Sequence, residues 1–505
     1  MSDALAMRLN ALDAETLAVL LVQGAEADEN FRLWLEAKLA AREAREQRTP
    51  LDPEPFRRQA EALLEPARAI RPRRHWDDSR SDIDESALEA LIGQAEPFLV
   101  AGNGIDALAI LRPIAEALVD TWPDCADWDE SLHEFFPVLD ALFARAALLG
   151  DMPEDLRDVL VDELSDWQDR IAEYGAGDAF AAALTAATLG WDEPGLSDVL
   201  SGCTDTWPLD RKDDWLNARL IEARLAALEA MGRTEGFLNL SRAAERHCDH
   251  AVMLTKCGRF NEALAIAHAR FREADSVLTL AQSLRAQAQP DAAFDLAQWG
   301  LSLPLEQPDA GHGSSYGRIA LARWLRVAAR QASRSDLSVI AARMAFEESL
   351  SRGDFEAARE LCPDEAWPDL RASLLARLMA AAYAPERIDI LLDENQIADA
   401  MAVIDCKGSE YQSPHNPSLL RLARAAYAHD PDWTIRFTLR LANPIMAEGR
   451  SNHYDLAVDW LAVAAQAHAV AGTSGQWRRH LDSLVETHRR KHKLRGLLEA
   501  LRTVQ

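Results

Sequence analysis

The densest set of potential metal ligands in the chain is His247-Cys248-Asp249-His250 with Cys257. On a helix His247 and His250 share a face, but Cys257 lies about two turns, ~10 Å, past His250, and zinc holds each ligand within about 2.3 Å. One ion cannot span that gap, so these residues read as helix-end residues and no metal is expected. His488 and His492 have i, i+4 spacing, yet they sit among Arg489, Arg490, Lys491 and Lys493, whose charge repels a cation. Gly313-Ser314-Ser315-Tyr316-Gly317 fits G-x-S-x-G, a pattern that puts serine on a turn between a strand and a helix. The run from Pro304 to Gly311 before it reads as a loop, which predicts a linker leading to a helix at Arg318. Gly102-Asn103-Gly104 and Gly175-Ala176-Gly177 lack the strand and the other residues of a phosphate loop and read as helix punctuation. His133-Glu134 continues into Phe135-Phe136-Pro137 with no second histidine, and the acidic run Asp124 to Glu130 lacks the glycine and ligand spacing of a calcium loop. The expectation is a protein without catalytic residues, cofactor or metal: not an enzyme.

Charge is distributed more informatively. The chain of 505 residues carries a net charge of −28, which argues against coating DNA phosphates with its surface as a whole. Between Asp120 and Asp214 there are 24 acidic and 5 basic residues, a net of −19. The opposite sign gathers in Arg478 to Gln505, at +5, and at Arg71, Arg73 and Arg74 beside Trp76. An acidic face of this kind keeps an alanine-rich protein soluble, or it docks a basic partner or the chain's own basic end. The residues to watch for a protein partner are Arg71, Arg73, Arg74, Trp76, Asp155, Asp158, Asp162, Asp166, Arg478, Arg479, Arg489 and Arg490. Nucleic acid is the less favoured partner.

These residues must be positioned by helices. Apolar residues make up 48% and charged ones 27%, a globular balance, and the prevalence of Ala, Leu, Arg, Asp and Glu over 14 Phe and 6 Tyr favours helix. Such a length is enough for about three domains. Leu17, Leu20 and Leu21, then Phe31, Leu33, Leu35 and Leu39, predict an antiparallel helical pair within Asp13 to Arg45. Pro50, Pro53, Pro55, Pro66 and Pro72 then predict a connector with at most one helix, near Phe56 to Ala69. Leu88, Leu91, Ile92, Ala107, Leu108, Leu111, Ile114 and Leu118 recur at three and four. In Asp155 to Ile171, Leu156, Val159, Leu160, Leu164, Trp167 and Ile171 line one face and Asp151, Asp155, Asp158, Asp162, Asp166 and Asp169 another. No run of alternating β-branched residues predicts a strand.

Two similar segments, Asp120-Thr121-Trp122-Pro123 and Asp205-Thr206-Trp207-Pro208, read as connectors in which proline stops one helix and a carboxylate caps the next. Past Thr234 a turn with an alanine-rich helix start keeps returning, at Gly258 to Leu264, Gln289 to Ala293, Gly353 to Ala358 and Asn395 to Met401, as at Gly104 to Leu108 earlier. Glycine ending one helix and small alanines opening the next are what stacked helix pairs need. The prediction is an all-α fold, an α-solenoid of tetratricopeptide-like helix pairs with irregular repeat lengths. Ala292 to Ala357 is long enough to hold extra helices. The expected parts are an N-terminal pair (1–48), a Pro/Arg-rich connector (49–84), an acidic helical domain (85–232) and a solenoid with a basic C-terminal helix (233–505).

Ala345-Phe346-Glu347 through Trp367, Ile388-Asp389-Ile390-Leu391-Leu392 through Ile404, and Tyr454 to Leu501 with its His488-Arg489-Arg490-Lys491 resemble the helical-repeat region that follows the zinc finger in bacterial SWIM zinc-finger proteins, and their stand-alone relatives; Leu12 to Ala40 matches as well. The finger itself, CxC then CxH, is absent, since no two cysteines here are separated by one residue. The family's metal and nucleic-acid properties therefore do not carry over.

Six dispersed cysteines predict a reducing compartment. The absence of a basic and apolar leader after Met1 predicts a cytoplasmic protein, no apolar window predicts a membrane span, and 6 lysines among 54 basic residues point to a GC-rich bacterial genome. The expected function is that of a non-catalytic protein-binding scaffold or adaptor. The alternative is a nucleic-acid-associated factor using the basic connector and the Arg478 to Arg495 helix.

Overall fold

The computed structural model describes residues 2–47, 49–69, 83–126, 130–149, 152–206, 214–304, 313–406, 413–448 and 451–503. Among them every regular element is a helix, as the periodicity predicts. The chain forms two compact units, Met1–Arg270 and Phe271–Gln505.

The first unit holds α1 (Ser2–Asn10), α2 (Ala14–Ala27), α3 (Glu29–Gln47), α4 (Glu54–Ala69), α5 (Glu85–Ile92), α6 (Glu96–Val100), α7 (Gly104–Cys125), α8 (Phe135–Leu149), α9 (Glu154–Ala172), α10 (Ala181–Leu189), α11 (Leu196–Leu200), α12 (Asp214–Ala230), α13 (Thr234–Ala243), α14 (His247–Lys256) and α15 (Phe260–Arg270). One hydrophobic core runs through it from Ala37 to Ala227, with α7, α8, α10 and α12 at the centre. The segment that proline marks as a connector contributes to that core, because Phe56, Ala60, Leu64 and Ala67 of α4 are fully buried against α3 and α7. Pro55 falls at the start of α4, where a missing N–H costs nothing, and only Pro66 interrupts it. Close packing is met by small residues: a Cβ on Gly104 would sit 2.4 Å from the carbonyl oxygen of Ala146. Phe136, Phe143, Trp167 and Phe180 fill the centre with edge-on ring contacts at 5.7–6.0 Å.

The second unit holds α16 (Ala274–Ala286), α17 (Pro290–Leu301), α18 (Gly313–Gln331), α19 (Ser335–Ser349), α20 (Arg352–Leu361), α21 (Trp367–Ala380), α22 (Arg387–Asp393), α23 (Ile397–Cys406), α24 (Pro417–Ala426), α25 (Pro431–Glu448), α26 (Tyr454–Val470), α27 (Ser474–Thr487) and α28 (His492–Thr503). Helices α20, α22, α24, α26 and α28 form a row in which each packs on the next, while α23, α25 and α27 each lie across two neighbours of that row. That two-row stacking is an α-solenoid. The long interval between Ala292 and Ala357 holds α18 and α19.

The turns between stacked helices share one geometry. A residue with positive φ follows the helix, and the next N–H reaches back five residues: Arg233 to Leu228, Arg246 to Ser241, Arg259 to Leu254, Gln289 to Leu284, Arg334 to Ala329 and Gln396 to Leu391, at 2.7–2.9 Å. This closes orphan carbonyls of the helix end. Glycine fills the left-handed position at Gly232 and Gly258, but Glu245, Ala288, Ser333 and Asn395 fill it elsewhere.

Several sequence expectations change. Asp120-Thr121-Trp122-Pro123 is no connector: it lies inside α7, which continues through Pro113 and Pro123. Buried packing outweighs the roughly 3 kcal/mol that an internal proline costs, with Trp122 set edge-on to Phe136 and donating from Nε1 to Tyr174 O at 3.2 Å. Asp205 and Thr206 do lie outside helices, and Trp207-Pro208 fall outside the described residues. Gly353 lies within α20 rather than ending α19, where Leu350 takes the left-handed position and the Ser351 side chain caps α20. Val159 is exposed, so the apolar face of α9 is narrower than its sequence pattern. The Arg478 to Arg495 helix breaks between α27 and α28, leaving His488 in the turn and His492 at the start of α28.

Candidate partner-binding surfaces

Helix α9 is amphipathic for the reason its sequence gives: Leu160, Leu164, Trp167 and Ile171 are buried, and Asp155, Asp158, Asp162, Asp166 and Asp169 are exposed. Part of its acidity is spent within the unit. Arg112 pairs with Glu163 at 2.6 Å, and Arg170 pairs with Asp120 and, at 3.7 Å, with Asp166. Asp155, Asp158 and Asp162 form no ion pair with any described residue and face solvent one to two turns apart.

The first unit also opens a cleft of about 500 Å³ between α5 and the segment 131–142. Its lining combines apolar Ile92, Phe135, Val138 and Leu142 with Glu85, Glu89, Glu96 and Glu134. Glu96 is held by Arg145 at 2.7 Å, whereas Glu85, Glu89 and Glu134 meet no basic side chain among the described residues. Glu85 and Glu89 stand at i, i+4 on the short α5, a like-charge spacing that costs stability unless a cation answers it. Sequence reading missed this cleft, since its two walls lie about 45 residues apart; the Glu85–Glu89 spacing was the one visible signal.

The basic candidates sit in the second unit. Arg478 and Arg479 are exposed on α27, and Arg489 and Arg490 are exposed in the turn before α28, with Arg489 bonded to Glu486 at 2.7 Å. Neighbouring lysines are committed locally: Lys491 donates to Met446 O and to Ala447 O, and Lys493 to Ser451 O and Asp455. Lys491 thereby closes the carboxyl end of α25, where a cation is favoured. The acidic stripe and the basic end thus belong to different units. Arg71, Arg73, Arg74 and Trp76 lie outside the described residues.

The histidine cluster is structural. Helix α14 runs unbroken from His247 to Lys256, which keeps His250 and Cys257 two turns apart. His250 is buried, its Nδ1 lies 2.9 Å from the Ser241 hydroxyl, and burial pushes its pKa down. Among the described residues no three His, Cys, Asp or Glu side chains gather as a metal site. Gly313–Gly317 opens α18, and Gly317 lies against the Asp275 carboxylate.

No protein-family model matches the chain, and no curated protein matches it. Among solved structures, a chain described as a circular tandem repeat protein with novel repeat topology and enhanced subunit contact surfaces aligns over 90% of this chain and 100% of its own length, at 16% identity and a TM-score of 0.22. At that score nothing about this chain is drawn from it. No helix among the described residues is long and apolar enough to cross a membrane.

Proposed function

We propose that the protein is a non-catalytic helical-repeat scaffold whose first unit docks a basic, apolar-faced segment of a partner protein. The observation that carries this is the cleft between α5 and 131–142, where apolar side chains line the same cleft as three carboxylates that form no ion pair with any described residue. A helix carrying leucines on one face and lysines or arginines on its flanks supplies what that cleft lacks: apolar side chains for Val138 and Phe135, and cations for Glu85, Glu89 and Glu134. Asp155, Asp158 and Asp162 add a long-range field that steers a cationic segment without contacting it. A cytoplasmic location belongs to the same reading, supported by six dispersed cysteines.

The test uses the full chain and a fluorescent 15-residue Leu/Lys amphipathic peptide, followed by anisotropy at 150 mM salt. Replacing Glu85, Glu89 and Glu134 by lysine should weaken binding at least tenfold, and replacing Asp155, Asp158 and Asp162 by asparagine should weaken it only two- to threefold. Equal losses from both sets would mean diffuse attraction with no docking site, and would sink the reading. Tight DNA or RNA binding at the same salt, abolished by glutamate at Arg478, Arg479, Arg489 and Arg490, would favour a nucleic-acid-associated factor instead.

A further inference from the structure

Helix α2 is apolar at its middle on every side, yet it buries none of its residues. Leu17-Ala18-Val19-Leu20-Leu21-Val22 is an uninterrupted apolar run, and six consecutive residues go more than once around a helix. Helix α3 covers one face, where Phe31 lies against Gly24 and stacks on Trp34 at 5.5 Å. The rest stays open: Val19 is 50% exposed, Leu20 46%, Leu21 42% and Val22 56%, and Trp34 of α3 is exposed as well. Runs of exposed apolar residues on a soluble protein mark an interface. A 14-residue helix with no buried side chain is also marginal in water, so α2 needs cover to be stable.

We infer that the α2–α3 hairpin is the self-association surface of the protein, pairing two-fold with the same hairpin of a second copy to make a four-helix bundle. Area fits a weak pairing of copies: the exposed parts of Val19, Leu20, Leu21, Val22 and Trp34 present on the order of 400 Å² of apolar surface, about half of what each side of a standard interface buries, so association belongs at the upper end of micromolar concentrations. Charge favours it too: α2 bears only Glu15 and Glu26, near its ends, so its middle offers a charged partner nothing to select. The uncharged middle of α2 lets two molecules of net charge −28 meet without adding carboxylates at the centre of the contact.

Sedimentation equilibrium of the full chain between 1 and 100 µM tests this. A mass of twice 55.9 kDa is expected at the upper end, and Val19→Glu with Val22→Glu should return the monomer with an unchanged helical circular-dichroism spectrum. Both positions are half exposed, so the monomer should still fold; Leu20→Arg alone should raise the dissociation constant at least tenfold as a second check. A monomer at 100 µM would overturn the inference, as would a dimer indifferent to all three substitutions. Peptide binding at the α5 cleft involves none of these residues, so the two ideas fail separately.

Discussion

Asp354 shows how much one side chain can organise. It is buried at the start of α20 and accepts from Arg323 and Arg326 of α18 and from the hydroxyls of Ser349 and Ser351, at 2.7–3.2 Å. Burial opposes its charge, but the arginines and serines prevail and hold its carboxyl down to about 2. Because the folded value lies below the ordinary 3.8, the stabilisation is present above pH 4 and lost as pH falls from 4 towards 2. Asp354→Ala should cost about 3–5 kcal/mol at pH 7, since two guanidiniums lose their carboxylate, and urea unfolding should show the deficit shrinking below pH 4. Asp140 runs the other way. It caps α10 through Ala183 N at 2.7 Å and meets Arg219 at 3.1 Å, yet burial dominates and pushes its carboxyl up to about 6. The folded value now lies above the unfolded one, so wild-type stability should drop as pH rises from 4 to 6 and level off above. Asp140→Asn, which cannot ionise, should flatten that slope in the same urea series. Neither residue stood out in the sequence, because their arginine partners lie 28 to 79 residues away.

At the scale of elements, the periodicity of α7 and α9 and the stacked pairs of the second unit were legible, since burial writes itself as apolar residues at three and four. The repeat of the turns was not. Glycine marks the turns at Gly232 and Gly258 but not those at Glu245, Ala288, Ser333 and Asn395, where an L residue takes the left-handed region. Arg233, Arg246 and Arg259, 13 residues apart, were the sequence trace of three such turns in succession. Proline misled in the opposite sense at Pro123, because a local breaker lost to the burial of Trp122. The strain has a measurable consequence. Ala288 is exposed at φ 57, so Ala288→Gly should remove a penalty of about 1 kcal/mol, partly offset by the freer unfolded chain, and raise the urea midpoint. An unchanged or lower midpoint would mean that the turn is not strained.

At the scale of the molecule, the sequence carried the charge layout but could not tell an exposed apolar run from a core one: Leu17 and Leu21 have the same spacing as the buried Leu160 and Leu164, yet Leu21 is exposed. Only the structure separates the acidic cleft of α5 from the bare hairpin of α2, and the two should respond to salt with opposite sign. Docking of a cationic peptide rests on attraction across the acidic surface, which screening removes over a Debye length of about 10 Å at 0.1 M. Its dissociation constant should therefore rise roughly tenfold or more between 50 and 500 mM sodium chloride. Pairing of the hairpins buries apolar surface against a background of repulsion between two chains at −28, so the same salt should tighten it. Sedimentation and peptide anisotropy on one preparation across that salt series measure both. If the two constants moved together, a single electrostatic surface would underlie both contacts, and the assignment of separate sites to α2 and α5 would fall.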